Sequence, residues 1–278
     1  MAIELATQFQ PYVDEQFTTE SKKSLLTNTD FDWTGAHTIK VYKVTTSAMN
    51  DYNRSGENNG NWSRYGAVAS LDATTEEMTL KRDRSFTFAI DKLDEDETKQ
   101  QLAAASALAR QDREVVIPEV DSYTYSVMAQ NAGTKADATE LTAENIYDEI
   151  IKGSLALDDA EAPEDGRVLV VTPAVYNLMK KNPDIEMSGA ITDEMRARGV
   201  IGMLDGMAVQ KIPANRLPEN FGFMIAHPVA TVAPVKLEDY TIHKNPPGIS
   251  GSLVEGRICY DAFVLDNKAK AIYYQAQA

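Results

Sequence analysis

Few side chains in this sequence stand at the spacings that chemistry demands. Three histidines, His37, His227 and His243, fall in three separate segments, and none has a second His or a Cys at metal-ligand spacing. A strand or helix-start role suits each better than a metal ligand. Cys259 is the only cysteine, so an internal disulfide is excluded, and only Arg257 stands near it to activate a thiol. In RICYDAF it alternates as a small buried strand residue. The loop DDAEAPEDG, with Asp158, Asp159, Glu161, Glu164 and Asp165, holds enough carboxylate for calcium but lacks the spacing of a calcium loop, and reads as solvated.

Acid–base chemistry fares no better. Glu186, Asp193 and Glu194 have no obvious cleft partner, and DEMRAR reads as a charged exposed helix or loop. GVIGMLDG carries Gly199, Gly202 and Gly206, but it leads into the strand MAVQKIP and opens no helix that would hold a phosphate. G-x-S-x-G, P-loop and H-E-x-x-H patterns are absent from the sequence. The expectation is a protein that is not an enzyme, with no catalytic residues, no cofactor and no metal.

Charge narrows the partners. The chain of 278 residues has 42 acidic and 27 basic side chains, a net charge of −15, which argues against a surface that grips a phosphate backbone. The densest cationic cluster, Lys81, Arg82 and Arg84, encloses Asp83 and reads as a solvated or subunit-contacting strand face. No run of 18 apolar residues exists, and the start MAIELATQFQPYVDEQF has neither a basic n-region nor an apolar h-region. A cytoplasmic protein without a membrane span is expected.

The elements that would carry these residues are α+β. Phe9, Tyr12, Val13 and Phe17 are too few for a core, so the first thirty residues read as an arm lying on something else. HTIKVYKVTT is a strand. EMTLKRDRSFTFAID is a second, alternating over fifteen residues that reach about 50 Å. A polar, glycine-rich stretch joins them, so the pair forms a long antiparallel arm whose apolar half needs a cover. DEDETKQQLAAASALARQDREVVIPEVDSYTYSVMAQNAG reads as a long helix, kinked or restarted at Pro118, with Val115, Val116, Val120, Val127 and Met128 buried and Gly133 as its stop. LTAENIYDEIIKGSLALDD is a helix capped by Thr142 with Ile146, Ile150, Ile151 and Leu155 inward. RVLVVT is a buried strand, and PAVYNLMKKN a helix with Pro173 in its first turn. GVIGMLDGMAVQKIP and FGFMIA are strands and HPVATVAP a short helix. LEDYTIHKN and SLVEGRICYDAFVLDNKAKAIYYQ are long strands around the turn Pro246-Pro247-Gly248. Long unpaired elements without a reaction centre point toward assembly.

This order of parts, with NWSRYG, FTFAIDKLDEDET, REVVIPEVDSY, GMLDGMAVQKIPANRLP and IAHPVATVAPVKLEDYTIH, resembles the major capsid protein of tailed bacteriophages in the Hong Kong 97-type shell fold. The chain is similar to prophage capsid proteins of low-GC Gram-positive bacteria. The resemblance implies an N-terminal arm (1–32), an extended hairpin or E-loop (33–92), a P-domain with a spine helix around Gln100 to Met128 (93–132 and 237–266), and an α/β A-domain (133–236 and 267–278). It implies a homo-oligomer of hexamers and pentamers in an icosahedral virion head, assembled in a host bacterial cytoplasm with scaffold and portal proteins, enclosing double-stranded DNA without sequence-specific binding. Arg54, Trp62, Arg64, Tyr65, Arg82 and Arg84 are the expected inter-subunit contacts, with Arg82 and Arg84, which interrupt the apolar strand face, meeting acidic groups of a neighbour. Some shells of this fold carry a Lys to Asn crosslink; Lys40, Lys43 and Lys81, with Asn245 and Asn267, lie on the relevant sides, but no motif marks a pair. An encapsulin-like compartment is the alternative, and a soluble α/β hydrolase is disfavoured for want of a nucleophile.

Overall fold

The computed structural model describes residues 21–31, 33, 38–56, 60, 62–97, 104–185 and 200–278. Phe9, Tyr12, Val13, Phe17, His37, Gln100, Glu186, Asp193, Glu194 and Gly199 lie outside them. The chain divides into two compact units, Trp33–Leu80 and the remainder.

In the smaller unit, β1 (Thr38–Val44) pairs antiparallel with β2 (Ala73–Thr79), in register from Thr38 opposite Thr79 to Val44 opposite Ala73. The single strand expected over Glu77–Asp91 is two strands in two sheets. The ladder stops at Leu80, and Lys81 donates its backbone N–H to Asp261 Oδ2 at 2.8 Å, so that donor is satisfied without a neighbouring strand. β3 (Arg82–Asp91) then begins in another sheet.

After β3 come α1 (Lys92–Glu97), α2 (Ala104–Gln111), a π-helical turn over Asp112–Val116, and α3 (Ile117–Gln130). From Ala104 to Gln130 the helix is continuous, about 40 Å long at its usual rise. Pro118 follows directly on the π turn, inside the continuous helix, and the widened turn stands where the proline can give no N–H to the preceding turn. The π turn changes which residues face inward. Val116 and Val120 are buried, Val127 is half-buried, and Val115, expected inside, is 46% exposed. The stop is Asn131, whose backbone N–H and side-chain amide both donate to the Val127 carbonyl. Gly133 has another role: a Cβ there would sit 2.5 Å from the Ala269 backbone.

β4 (Thr134–Thr139), α4 (Ile146–Asp159), β5 (Val168–Val171), α5 (Pro173–Lys181), β6 (Val200–Leu204), β7 (Met207–Lys211) and β8 (Phe221–Ala226) follow. Then come β9 (Thr231–Val232), β10 (Val235–Lys244), β11 (Gly251–Tyr260), β12 (Phe263–Val264) and β13 (Ile272–Gln277). A six-stranded mixed sheet runs β4-β13-β8-β5-β7-β6. Alternation in β5 sends Val168 and Val170 to one core with Tyr125 and Met128 of α3, and Leu169 and Val171 to another with Ile146, Ile150, Val175 and Met179 of α4 and α5. Both faces are thereby covered, which is why β5 reads as unbroken Val and Leu. Thr172 caps α5 through Val175 N–H at 3.2 Å.

α4 buries part of the face expected, and its inward stripe runs on through other residues. Ile146, Ile150, Gly153 and Leu157 are buried, whereas Ile151 and Leu155 are 44% and 57% exposed. Gly153 sets the rotation: a Cβ there would stand 2.9 Å from Ile225 and Tyr273 side-chain atoms, so the helix lies against β8 and β13 where it has no side chain. Thr142 does sit at the helix entrance, exchanging bonds with Asn145.

A second sheet runs β10-β11-β3. Phe86 and Phe88 stack at 6.2 Å, and the apolar face of β3 is covered inside the same subunit by Ala104, Ala107, Leu108, Val116 and Val120 of the long helix. A neighbouring copy is therefore not the cover of this part of the expected arm. Residues 21–28 are tied to the larger unit as well. Leu26 is fully buried, Asn28 bridges to Val232, and Gln210 Nε2 donates to the Lys22 carbonyl at 2.8 Å.

Candidate subunit-contact surface

The smaller unit exposes apolar surface on a built frame. Its strands are laced by the Lys40–Glu77 and Lys43–Glu76 ion pairs, the latter at 3.3 Å, and by a Thr38–Thr79 hydroxyl bond. Thr45 and Asp72 close the neck of the loop with three mutual bonds of 3.0–3.1 Å. Beyond it, Tyr52 meets Tyr65 edge-on at 4.9 Å, and Asn53 N–H donates to the Arg64 carbonyl. Gly66 takes φ +92° with the Asn50 side chain 2.9 Å from where a Cβ would stand, so only glycine fits the turn.

On this frame Met49, Trp62, Tyr65 and Val68 are 99%, 84%, 76% and 77% exposed. Arg54 and Arg64 are exposed too. A single chain leaves these apolar side chains in water. Of the six expected contacts, Arg54, Trp62, Arg64 and Tyr65 all lie in this loop, and each is exposed.

Arg82 and Arg84 stand elsewhere, on β3, and their side chains find partners in the same subunit. The Arg82 guanidinium lies 4.4 Å from the Tyr123 ring centroid. Arg84 Nε donates to Glu119 Oε1 at 2.7 Å, an oxygen that also accepts from Tyr260 OH at 3.1 Å. Burial, then the Glu119 carboxylate, pushes the Tyr260 phenol up to about 12. Across the sheet Arg257 holds Asp83 with two bonds of 2.9 and 2.6 Å, which keeps the Asp83 carboxyl below its usual range.

Glu119 and Asp261 are the residues that sequence reasoning missed. Asp261, 3% exposed, accepts from Lys81 N–H, Tyr123 OH and Ala262 N–H, each at 2.8 Å, and so fixes the chain at the start of β3. A third carboxylate, Asp121, is buried with Arg216 at 2.9 Å and accepts from Ser21 Oγ at 2.6 Å. All three lie in segments noted for other reasons, IPEVDSY and YDAF, and nothing in spacing alone marks an acid as a hub.

The remaining groups hold structure. His227 accepts from Val229 N–H through Nδ1 at 3.1 Å as a turn cap, and His243 lies 3.2 Å from Glu255. Cys259 is half-buried. The bond from Lys40 to Glu77 raises the lysine pKa, the reverse of the shift a neutral crosslinking amine requires. Among the described residues no three His, Cys, Asp or Glu side chains gather as a metal site, and no helix is long and apolar enough to cross a membrane.

A family described as phage capsid protein matches residues 72–274. The chain belongs to the phage capsid protein family. Among solved structures, one from Mycobacterium phage Che8 superposes with a TM-score of 0.75 at 16% identity, covering 99% of this capsid chain and 98% of its own. The capsid of cyanophage P-SCSP1u gives 0.75 at 13% identity, with 99% and 93% coverage. The mature capsid of bacteriophage PhiM1 gives 0.70 at 13%, with 99% and 92%. No curated protein sequence matches this one. The capsid protein is thus a structural shell protein of an icosahedral bacteriophage head, and the compartment-shell alternative is not favoured. Membership of this family implies a structural role and not a catalytic one.

Proposed function

We propose that the protein is the major capsid protein of a tailed phage with the Hong Kong 97-type architecture, and that Trp33–Leu80 is its E-loop, docking on a neighbouring copy. In this reading the long helix with β3, β10 and β11 is the peripheral domain, and the six-stranded sheet is the axial domain. The E-loop is shorter than residues 33–92 because β3 packs on its own subunit's helix. The carrying observation is the exposure of Trp62 and Tyr65 on a hydrogen-bonded frame. Exposed aromatics and arginines supply most of the energy of interfaces when a partner desolvates them.

Arg54, Trp62, Arg64 and Tyr65 are the contact residues of this reading. Arg82 and Arg84 are exposed on β3 and add to a neighbour's contact while keeping Tyr123 and Glu119. Hexamers and pentamers, a separate scaffold and portal, enclosed DNA and assembly in a bacterial cytoplasm belong to the same proposal. The test is Trp62→Ala with Arg64→Ala. Monomer melting should stay unchanged while particle yield in electron micrographs falls; normal particles from the double variant would remove the tip from the mechanism.

A further inference from the structure

Opposite charges sit at opposite ends of two parallel strands in the larger unit. β5 and β7 run side by side from Val168 opposite Ala208 to Val171 opposite Lys211. At their start lies the exposed acidic loop with Asp159, Glu161, Glu164 and Asp165, anchored where Asp158 pairs with buried Arg167. At their end Lys211 and Lys180 both approach the Tyr176 ring, with ammonium groups 5.3 and 4.9 Å from its centroid. Lys22 joins them by donating to the Lys211 carbonyl at 3.0 Å.

The cationic end is unbalanced. Among the described residues none of Lys22, Lys180 and Lys211 is ion-paired to a carboxylate, although Lys22 and Lys211 are half-buried. Burial, then repulsion from Lys211 and Arg216, lowers the Lys22 pKa, so the cluster gains from an anion brought to it. A favourable position in the last turn of α5 accounts for Lys180 but not for Lys22 or Lys211. With a net charge of −15, copies of this chain repel one another on average, and a local attraction is needed where they meet.

We infer that the Lys22–Lys180–Lys211 cluster is a docking site for the acidic loop around Glu164 of a second copy of this chain. Basic end to acidic end is a heterologous, head-to-tail contact, the kind that closes rings. The inference rests on the shell reading and adds to it a specific electrostatic contact.

The test is a charge swap in the full chain. Lys180→Glu with Lys211→Glu, and separately Asp159→Lys with Glu164→Lys, should each slow assembly at low salt by roughly tenfold or more, because like charges then face each other. Combining all four in one chain should restore assembly toward wild type. Lys180→Gln alone, a milder change, should act in the same direction and guards against misfolding, checked by circular dichroism. Wild type that assembles while the four-fold variant stays as slow as its parents overturns the inference and leaves the shell reading standing. So does unchanged assembly of the lysine variant with lost binding of duplex DNA, which would make the cluster a nucleic-acid contact. Wild type that forms no particle under any condition overturns both.

Discussion

Glu119 Oε1 stands 2.7 Å from Arg84 Nε and 3.1 Å from Tyr260 OH, so one helix carboxylate joins β3 and β11. The proton of Tyr260 is held by this geometry. Its pKa of about 12 lies above the ordinary 10.0, so between those pH values the folded protein binds a proton that the unfolded chain has released. Stability is therefore intact below pH 10.0 and falls as pH rises toward about 12. Tyr123, Tyr125, Tyr273 and Tyr274 are shifted upward too, chiefly by burial, and steepen the loss. Urea midpoints measured from pH 9 to 12 should decline, and Glu119→Gln should lower the Tyr260 pKa in an ultraviolet titration. A flat urea profile would contradict the buried placement of these phenols.

The buried pair Asp121 and Arg216 should be costly to break from one side. Arg216→Met leaves Asp121 with only Ser21 Oγ among its hydrogen-bond partners described above, at 1% exposure. Removing one member of such a pair costs about 3–5 kcal/mol, whereas replacing both with apolar residues costs less. Chemical denaturation of Arg216→Met beside Arg216→Met with Asp121→Leu measures the difference. Equal losses would mean that the pair is not coupled.

The orientation of α4 predicts unequal effects from two leucines two residues apart. Leu157→Ala should lose about 2–5 kcal/mol, since Leu157 is 1% exposed in the core under the six-stranded sheet. Leu155→Ser, at a position 57% exposed, should change stability by no more than about 0.5 kcal/mol. Reversed magnitudes in thermal melts would restore the inward face expected from apolar spacing.

Val120 tests the packing of the long helix on β11. At 6% exposure beside Ile258 and Tyr260, Val120→Asp places an unpaired charge in an apolar cluster at a cost of several kcal/mol. Proteolysis of the soluble variant should cut this region rapidly, while Val115→Asp, at an exposed position of the preceding π turn, should leave the wild-type pattern.

Much of the scaffold was legible because its signals are local. The alternation in RVLVVT and FGFMIA, the Thr172-Pro173 helix start and the Pro246-Pro247-Gly248 turn each depend on near neighbours, and each stands where expected. β4 was missed because TKADAT is a polar edge strand, held by parallel pairing with β13 from the far end of the chain.

By itself the sequence determined the α+β class, the strands and helices with strong periodicity, the acidic balance and the resemblance to phage capsids. Only the tertiary structure decided where the hairpin ends, because Lys81 N–H is captured by an acid 180 residues later in the chain. It also decided that Arg84 answers Glu119 while Trp62 stays in water, and that beside a π turn and Gly153 the residues Val115, Ile151 and Leu155 fall outside buried faces that do hold Val116, Val120, Ile146 and Ile150 as their spacing suggests. The physical reason is common to all three: hydrogen-bond capture, ion pairing and close packing act between atoms brought together by folding, and sequence spacing carries no record of those distances.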